Sequence, residues 1–159
     1  MSDRSFNVLF LCTGNSARSI LAEAILNREG RGRFAGHSAG SHPAGRVHPL
    51  ALDLLAARGH PTAGLQSKSW EVFAAEGAPR MDLIVTVCDK AAGEVCPVWP
   101  GRPADAHWPF PDPAAAEGSE AERRAVFAET YERIRARVRD FAARTRPRQP
   151  QRDREGTGA

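Results

Sequence analysis

The stretch Phe6-Asn7-Val8-Leu9-Phe10-Leu11-Cys12-Thr13-Gly14-Asn15-Ser16-Ala17-Arg18-Ser19 splices two unlike patterns. Its first half, FNVLFLC, is an almost continuous apolar run, as a strand buried on both faces requires. Beyond the polar loop the spacing changes. Ile20, Leu21, Ala24 and Ile25 recur at three- and four-residue intervals, which predicts a helix over about 17–27. The remaining chain keeps this alternation. Strands are predicted over 34–39, 82–88 (DLIVTVC, rich in β-branched residues) and 106–108, and helices over 48–58, from Ser69 onward and over 119–143. Pro49 and Gly59 frame the 48–58 helix at its two ends. Ser119 with Glu122 makes a capping box for the longest helix, whose apolar stripe is Val126, Phe127, Ile134, Val138 and Phe141. Strands alternating with helices imply an α/β fold in three layers, a four-stranded, mostly parallel sheet flanked by helices.

A chain of 159 residues suits one domain, assigned here to residues 1–143, and 42% hydrophobic residues suffice for its core. The net charge of +3 is localised. Residues 144–159 hold Arg144, Arg146, Arg148, Arg152 and Arg154 against Asp153 and Glu155, a balance of +3, so the body is neutral. That tail has no apolar residue larger than alanine, and its composition reads as a disordered basic extension. Without a basic stripe interleaved with aromatics, no nucleic-acid partner is expected. The first apolar run is too short for a signal peptide or a membrane span, so the expectation is a cytoplasmic protein with no membrane association. In a reducing compartment the three cysteines, Cys12, Cys88 and Cys96, point to catalysis or metal binding rather than a structural disulfide. Metal is disfavoured: the gap between Cys88 and Cys96 is not a knuckle spacing, and His107 is the one further ligand on offer.

Cys12 ends a strand and precedes a helix, the place where open α/β sheets bind ligands. Thr13, Gly14, Asn15, Ser16 and Ala17 are small, and Gly14 and Asn15 tolerate left-handed backbone. Such a loop can curl until its N–H groups converge on an anion beneath a helix N-terminus. Arg18 can cap a tetrahedral oxyanion in bidentate fashion, Ser19 can hydrogen-bond a Cys12 thiolate, and Asn15 can brace the loop. A cysteine and an arginine at this spacing occur often by chance as a buried thiol and a solvated helix residue. The whole unit of strand, cysteine, small loop, arginine, serine and apolar helix does not.

CTGNSARS after an apolar strand resembles the anion loop of the low-molecular-weight tyrosine phosphatase superfamily. Ser38-Ala39-Gly40-Ser41-His42-Pro43, Val85-Thr86-Val87-Cys88-Asp89, Cys96-Pro97, His107-Trp108 and Asp112-Pro113 extend the resemblance to its arsenate-reductase branch, over about residues 5–142. The resemblance implies Cys12 as nucleophile, residues 13–19 with Arg18 as oxyanion binders, and Asp112, in the proline-braced PFPDP loop, as general acid ahead of Asp105. Arsenate reduction needs two electrons from thiols. Cys88 would attack the Cys12 sulfur, releasing arsenite, and Cys96 would then take over the disulfide. The same resemblance implies a monomer with no bound organic cofactor, arsenate as substrate with phosphate or sulfate as mimics, and a thioredoxin-like reductant or glutathione with glutaredoxin. The alternative is a phosphatase acting on phosphotyrosine or a small ester. Where such phosphatases carry tyrosines, Ala114, Ala115 and Ala116 follow Asp112-Pro113 here.

Some relatives bind potassium through residues aligning with Asn15, Glu23, Ser38 and the 67–69 region; here Lys68 is expected to place an ammonium there, which argues against a potassium requirement. His42, His48 and His60 show no convincing partner and read as surface or helix-start residues. Trp70, Trp99 and Trp108 read as packing residues or loop anchors, Trp108 also as a wall of the site.

Overall fold

The computed structural model describes residues 5–88, 99 and 103–145. Four strands, β1 (Phe6–Cys12), β2 (Phe34–Gly40), β3 (Leu83–Thr86) and β4 (Ala104–His107), form one parallel sheet in the order β2-β1-β3-β4. Helix α1 (Arg18–Glu29) links β1 to β2; α2 (Pro49–Ala57) and the single turn α3 (Glu71–Ala74) lie between β2 and β3; α4 (Glu120–Arg144) follows β4. None of the helices among the described residues is long and apolar enough to cross a membrane.

Strand alternation explains the layers. Val8, Phe10 and Cys12 of β1 join the large core with Ile20, Leu21 and Ile25 of α1, Leu55 of α2, and Phe127, Ile134 and Val138 of α4. Leu9 and Leu11 point the other way, into a smaller core with Trp70, Phe73, Met81 and Ile84. Both faces of β1 are therefore covered, which is why its sequence is apolar from Val8 to Cys12.

The parallel register puts Cys12 opposite Gly40 and Leu11 opposite Thr86. β3 ends at Thr86, shorter than the 82–88 expected. Val87 still donates to Leu11 O at 2.9 Å, but Cys88 bends out of the ladder at the same carboxyl edge as Cys12. β4 spans 104–107 rather than 106–108; Trp108 leaves the strand yet donates its N–H to Thr86 O at 2.8 Å. The capping box of α4 forms as expected, with Ser119 Oγ accepting from Glu122 N and Glu122 Oε1 accepting from Ser119 N. Its buried face is Phe127, Thr130, Tyr131, Ile134, Val138 and Ala142, with Val126 and Phe141 only half-buried at its margins. That face includes Tyr131, polar at one end and buried with a hydrogen-bond partner. The helix runs through Arg144, one residue past the domain limit expected at 143. Cys96 and the segment 146–159 lie outside the described residues.

Candidate active site

The loop from Cys12 to Arg18 is held from outside. The carbonyls of Thr13, Gly14 and Ser16 accept from the N–H groups of His42 (2.9 Å), Ala44 (2.8 Å) and His48 (2.8 Å). In a trans peptide the carbonyl of one residue and the N–H of the next point in opposite directions. The N–H groups of Gly14, Asn15 and Ala17 therefore turn inward, and that of Asn15 reaches Cys12 Sγ at 3.2 Å. Asn15 takes the left-handed backbone (φ 48°) this curl needs and is fully buried. The first turn of α1 has Ala17 at its N-cap and no side-chain cap, so its orphan donors also face the loop.

The orientation of the Asn15 amide follows from its partners. Lys68 N donates to Asn15 Oδ1 at 2.7 Å, which orients the amide so that Nδ2 donates to Ser19 Oγ at 2.8 Å. The Ser19 hydroxyl, which accepts from that amide, lies 3.0 Å from Cys12 Sγ and can donate to it. The Asn15 N–H and the Ser19 hydroxyl thus flank the sulfur of a residue only 3% exposed.

Cys12, Arg18, Cys88 and Asp112 meet in one cleft of about 450 Å3, walled also by Phe110, Pro111 and Ala114. Arg18 Nη1 donates to Phe110 O at 2.9 Å, and Nη2 lies 3.7 Å from Asp112 Oδ2. The other carboxylate oxygen of Asp112 accepts from Ala114 N at 3.0 Å, capping the short 3₁₀ turn Pro113–Ala115. This loop is tied to the sheet by Phe110 N, which donates to Val87 O at 3.1 Å. The Cys88 sulfur stands 3.7 Å from Thr13 Oγ1. Asp105 lies exposed on β4, outside the cleft.

Behind the loop, Lys68 Nζ donates to Ser38 O at 3.0 Å and Gln66 O at 2.9 Å, while Ser38 Oγ donates to Glu23 Oε1 at 2.5 Å. The ammonium thus sits among Glu23, Ser38 and the 66–69 segment, where the sequence places it. Burial raises the Glu23 carboxyl above its ordinary range, against the opposing pull of Ser38 and Lys68. Burial likewise lowers the Lys68 ammonium, against the pull of Glu23.

Several contributions escape the sequence. At Gly40 a Cβ would collide with the Thr13 carbonyl oxygen, so the glycine lets β2 close on the loop. Ser67 Oγ donates to Gly14 O at 3.1 Å and accepts from Gly45 N at 3.1 Å. Gly40 stands opposite Cys12 in the β1–β2 register, while Ser67 reaches the loop from the segment between α2 and α3. The histidine expectation needs correction. His60 is buried and pairs through Nε2 with Tyr131 Oη at 2.7 Å, because the 58–60 turn folds beneath α4. His48 does start α2, but its Nδ1 accepts from Leu50 N and its ring packs on Phe127. His42 Nδ1 lies 3.1 Å from Ser41 Oγ. Trp108 is a packing residue, buried against Phe10 and Phe141 under the Arg137 guanidinium, and does not line the cleft.

A family model described as low molecular weight phosphotyrosine protein phosphatase matches residues 7–151. The chain is 36% identical over 135 residues, 85% of its length and 94% of the relative's, to an arsenate reductase of Halalkalibacterium halodurans. Among solved structures, an arsenate reductase in the phosphate binding state superposes with a TM-score of 0.69 at 27% identity, covering 86% of this chain and 96% of that one. A thioredoxin-dependent arsenate reductase of Corynebacterium glutamicum gives 0.62 at 25% identity, covering 91% of this chain and 66% of that one.

Proposed function

Within the low molecular weight phosphotyrosine protein phosphatase family, to which this chain belongs, we propose that it acts as a thiol-dependent arsenate reductase. One observation carries the reading: Cys12, at the end of β1, and Cys88, two residues past the end of the neighbouring β3, wall the same cleft as Arg18. A phosphatase needs only the first of them.

In this mechanism the Cys12 thiolate, held by the Asn15 N–H and the Ser19 hydroxyl, attacks arsenate and displaces one oxygen. The inward N–H groups and the Arg18 guanidinium offset the oxyanion's charge, and Asp112 carries the proton for the departing oxygen. Cys88 then attacks the Cys12 sulfur. The S–As pair returns to arsenic, which leaves as arsenite, and the two sulfurs are joined. Cys96, eight positions along the chain, attacks Cys88 and frees Cys12. A thioredoxin-like dithiol, or glutathione with glutaredoxin, reduces the second disulfide, which fits a monomer working in a cytoplasmic, reducing setting. The Lys68 ammonium on Ser38 O and Gln66 O supplies the charge behind the loop without potassium.

The test is arsenate-dependent NADPH oxidation with thioredoxin and thioredoxin reductase. Wild type should turn over; Cys96→Ser should give a single burst of arsenite and stop. No arsenite from wild type, with rapid hydrolysis of an aryl phosphate, would mean a phosphatase instead.

A further inference from the structure

We propose that the same cleft also reduces small hydroperoxides, with Cys12 as the peroxidatic sulfur and Cys88 as the resolving one, and with no arsenic involved. The inference rests on the preceding reading only in requiring that Cys88 can reach the Cys12 sulfur.

Three observations carry it. The Asn15 N–H and the Ser19 hydroxyl lie 3.2 and 3.0 Å from Cys12 Sγ, placed to support its attack on a peroxide oxygen. Cys12, only 3% exposed as a residue, lines the cleft, whose further walls, Phe110, Pro111 and Ala114, leave room for a small oxidant. The cleft also holds a second thiol, Cys88, beside the Thr13 hydroxyl that adjoins Cys12. A reactive cysteine next to a resolving one is the arrangement that stops oxidation at a reversible stage.

The steps balance. The Cys12 thiolate attacks one peroxide oxygen, forming an S–O bond and breaking the O–O bond. The sulfur is oxidised by two electrons to sulfenic acid, and the leaving hydroxide or alkoxide, beside the Arg18 guanidinium, takes up a proton and departs as water or alcohol. The Cys88 sulfur then attacks the Cys12 sulfur. An S–S bond forms, the S–O bond breaks, and the oxygen leaves as water. A dithiol reductant of the thioredoxin class supplies two electrons and two protons to restore both thiols.

The experiment adds hydrogen peroxide, in arsenate-free buffer, to the full-length protein with NADPH, thioredoxin and thioredoxin reductase. Peroxide-dependent NADPH oxidation should exceed the thioredoxin background and vanish in Cys12→Ser. Oxidation of Cys12 should outpace that of glutathione by about tenfold or more. In a Cys96→Ser background, peptide mapping should find the Cys12–Cys88 disulfide. With Cys88→Ser or Cys88→Ala, dimedone should instead trap a Cys12 sulfenic acid. Wild type that goes directly to Cys12 sulfinate, or reacts no faster than glutathione, overturns the proposal. Arsenate turnover measured on the same preparation separates the two failures: if it persists, only the peroxide activity is refuted; if it is absent, the reductase reading falls by itself.

Discussion

A single hydroxyl stands between Cys12 and the bracing of its loop. Ser19 Oγ receives the Asn15 amide at 2.8 Å and lies 3.0 Å from the sulfur. Hydrogen bonds to charged groups contribute about 1.5–3 kcal/mol, so Ser19→Ala should slow iodoacetamide alkylation of Cys12 at neutral pH roughly tenfold or more. An alkylation–pH profile that superposes on wild type would remove Ser19 from the mechanism. Asp112 competes with a bound anion for the same guanidinium, at 3.7 Å from Arg18 Nη2. Both groups are partly exposed and the pair is worth at most about 1 kcal/mol. Asp112→Asn should therefore tighten phosphate binding at pH 7 by up to about fivefold while lowering turnover; calorimetry showing weaker binding contradicts this competition. At this scale much of the site is readable from one contiguous segment. Cys12, Asn15, Arg18 and Ser19 act on each other across one loop and one helical turn, where sequence spacing fixes distance. Ser67 and Lys68 are not readable in the same way, because they reach Gly14 and Asn15 from 53 positions away.

Between elements, the anion loop depends on what packs behind it. β2 approaches so closely at Gly40 that any side chain meets the Thr13 carbonyl. Gly40→Ala should cost about 1–3 kcal/mol, the usual range for overpacking, and should lower Cys12 reactivity with it. Urea unfolding and alkylation together check this, and a fully stable, fully reactive variant refutes it. The Glu23–Lys68 pair joins α1 to the 66–69 segment through Ser38 of β2. Lys68→Gln leaves a carboxyl that burial already raises without its counter-charge. A carboxyl whose folded-state value is raised favours folding at low pH and loses that contribution as pH climbs past its unfolded value near 4.5. The deficit of Lys68→Gln should therefore grow from pH 4.5 upward, to roughly 1–3 kcal/mol at pH 7 after allowance for solvent screening. A pH-independent deficit would show that the pair is not electrostatically coupled. Helix and strand types follow from sequence periodicity, but their ends do not. β3 stops at Thr86, and Cys88 bends out of the ladder to line the cleft, although the β-branched run that predicts the strand continues past Thr86.

For the molecule as a whole, the sheet separates two cores, and α4 seals the larger one with a polar pair inside it. His60 is held below its ordinary range by burial first, then by Arg28 and Arg58, with Glu29 opposing. Because the unfolded chain binds the extra proton more readily, His60 stabilises the fold above its unfolded value of about 6.5, and that contribution is lost as pH falls below it. Urea midpoints should drop between pH 7.5 and 5.5, and less so in His60→Gln, which retains a side-chain partner for Tyr131. His37 and His48, also lowered by burial, account for the remaining slope, so equal drops in both proteins would exclude a role for His60. Periods of two and of about 3.6 and a contiguous loop are local properties. They dictate the α/β alternation and the group of residues around Cys12 before any folding. Three matters needed tertiary structure: that the loop carbonyls turn outward, that Asp112 faces Arg18, and that Cys88 opens into the Cys12 cleft. Each depends on the parallel register of β1, β2, β3 and β4, which brings residues up to 94 positions apart to one edge of the sheet.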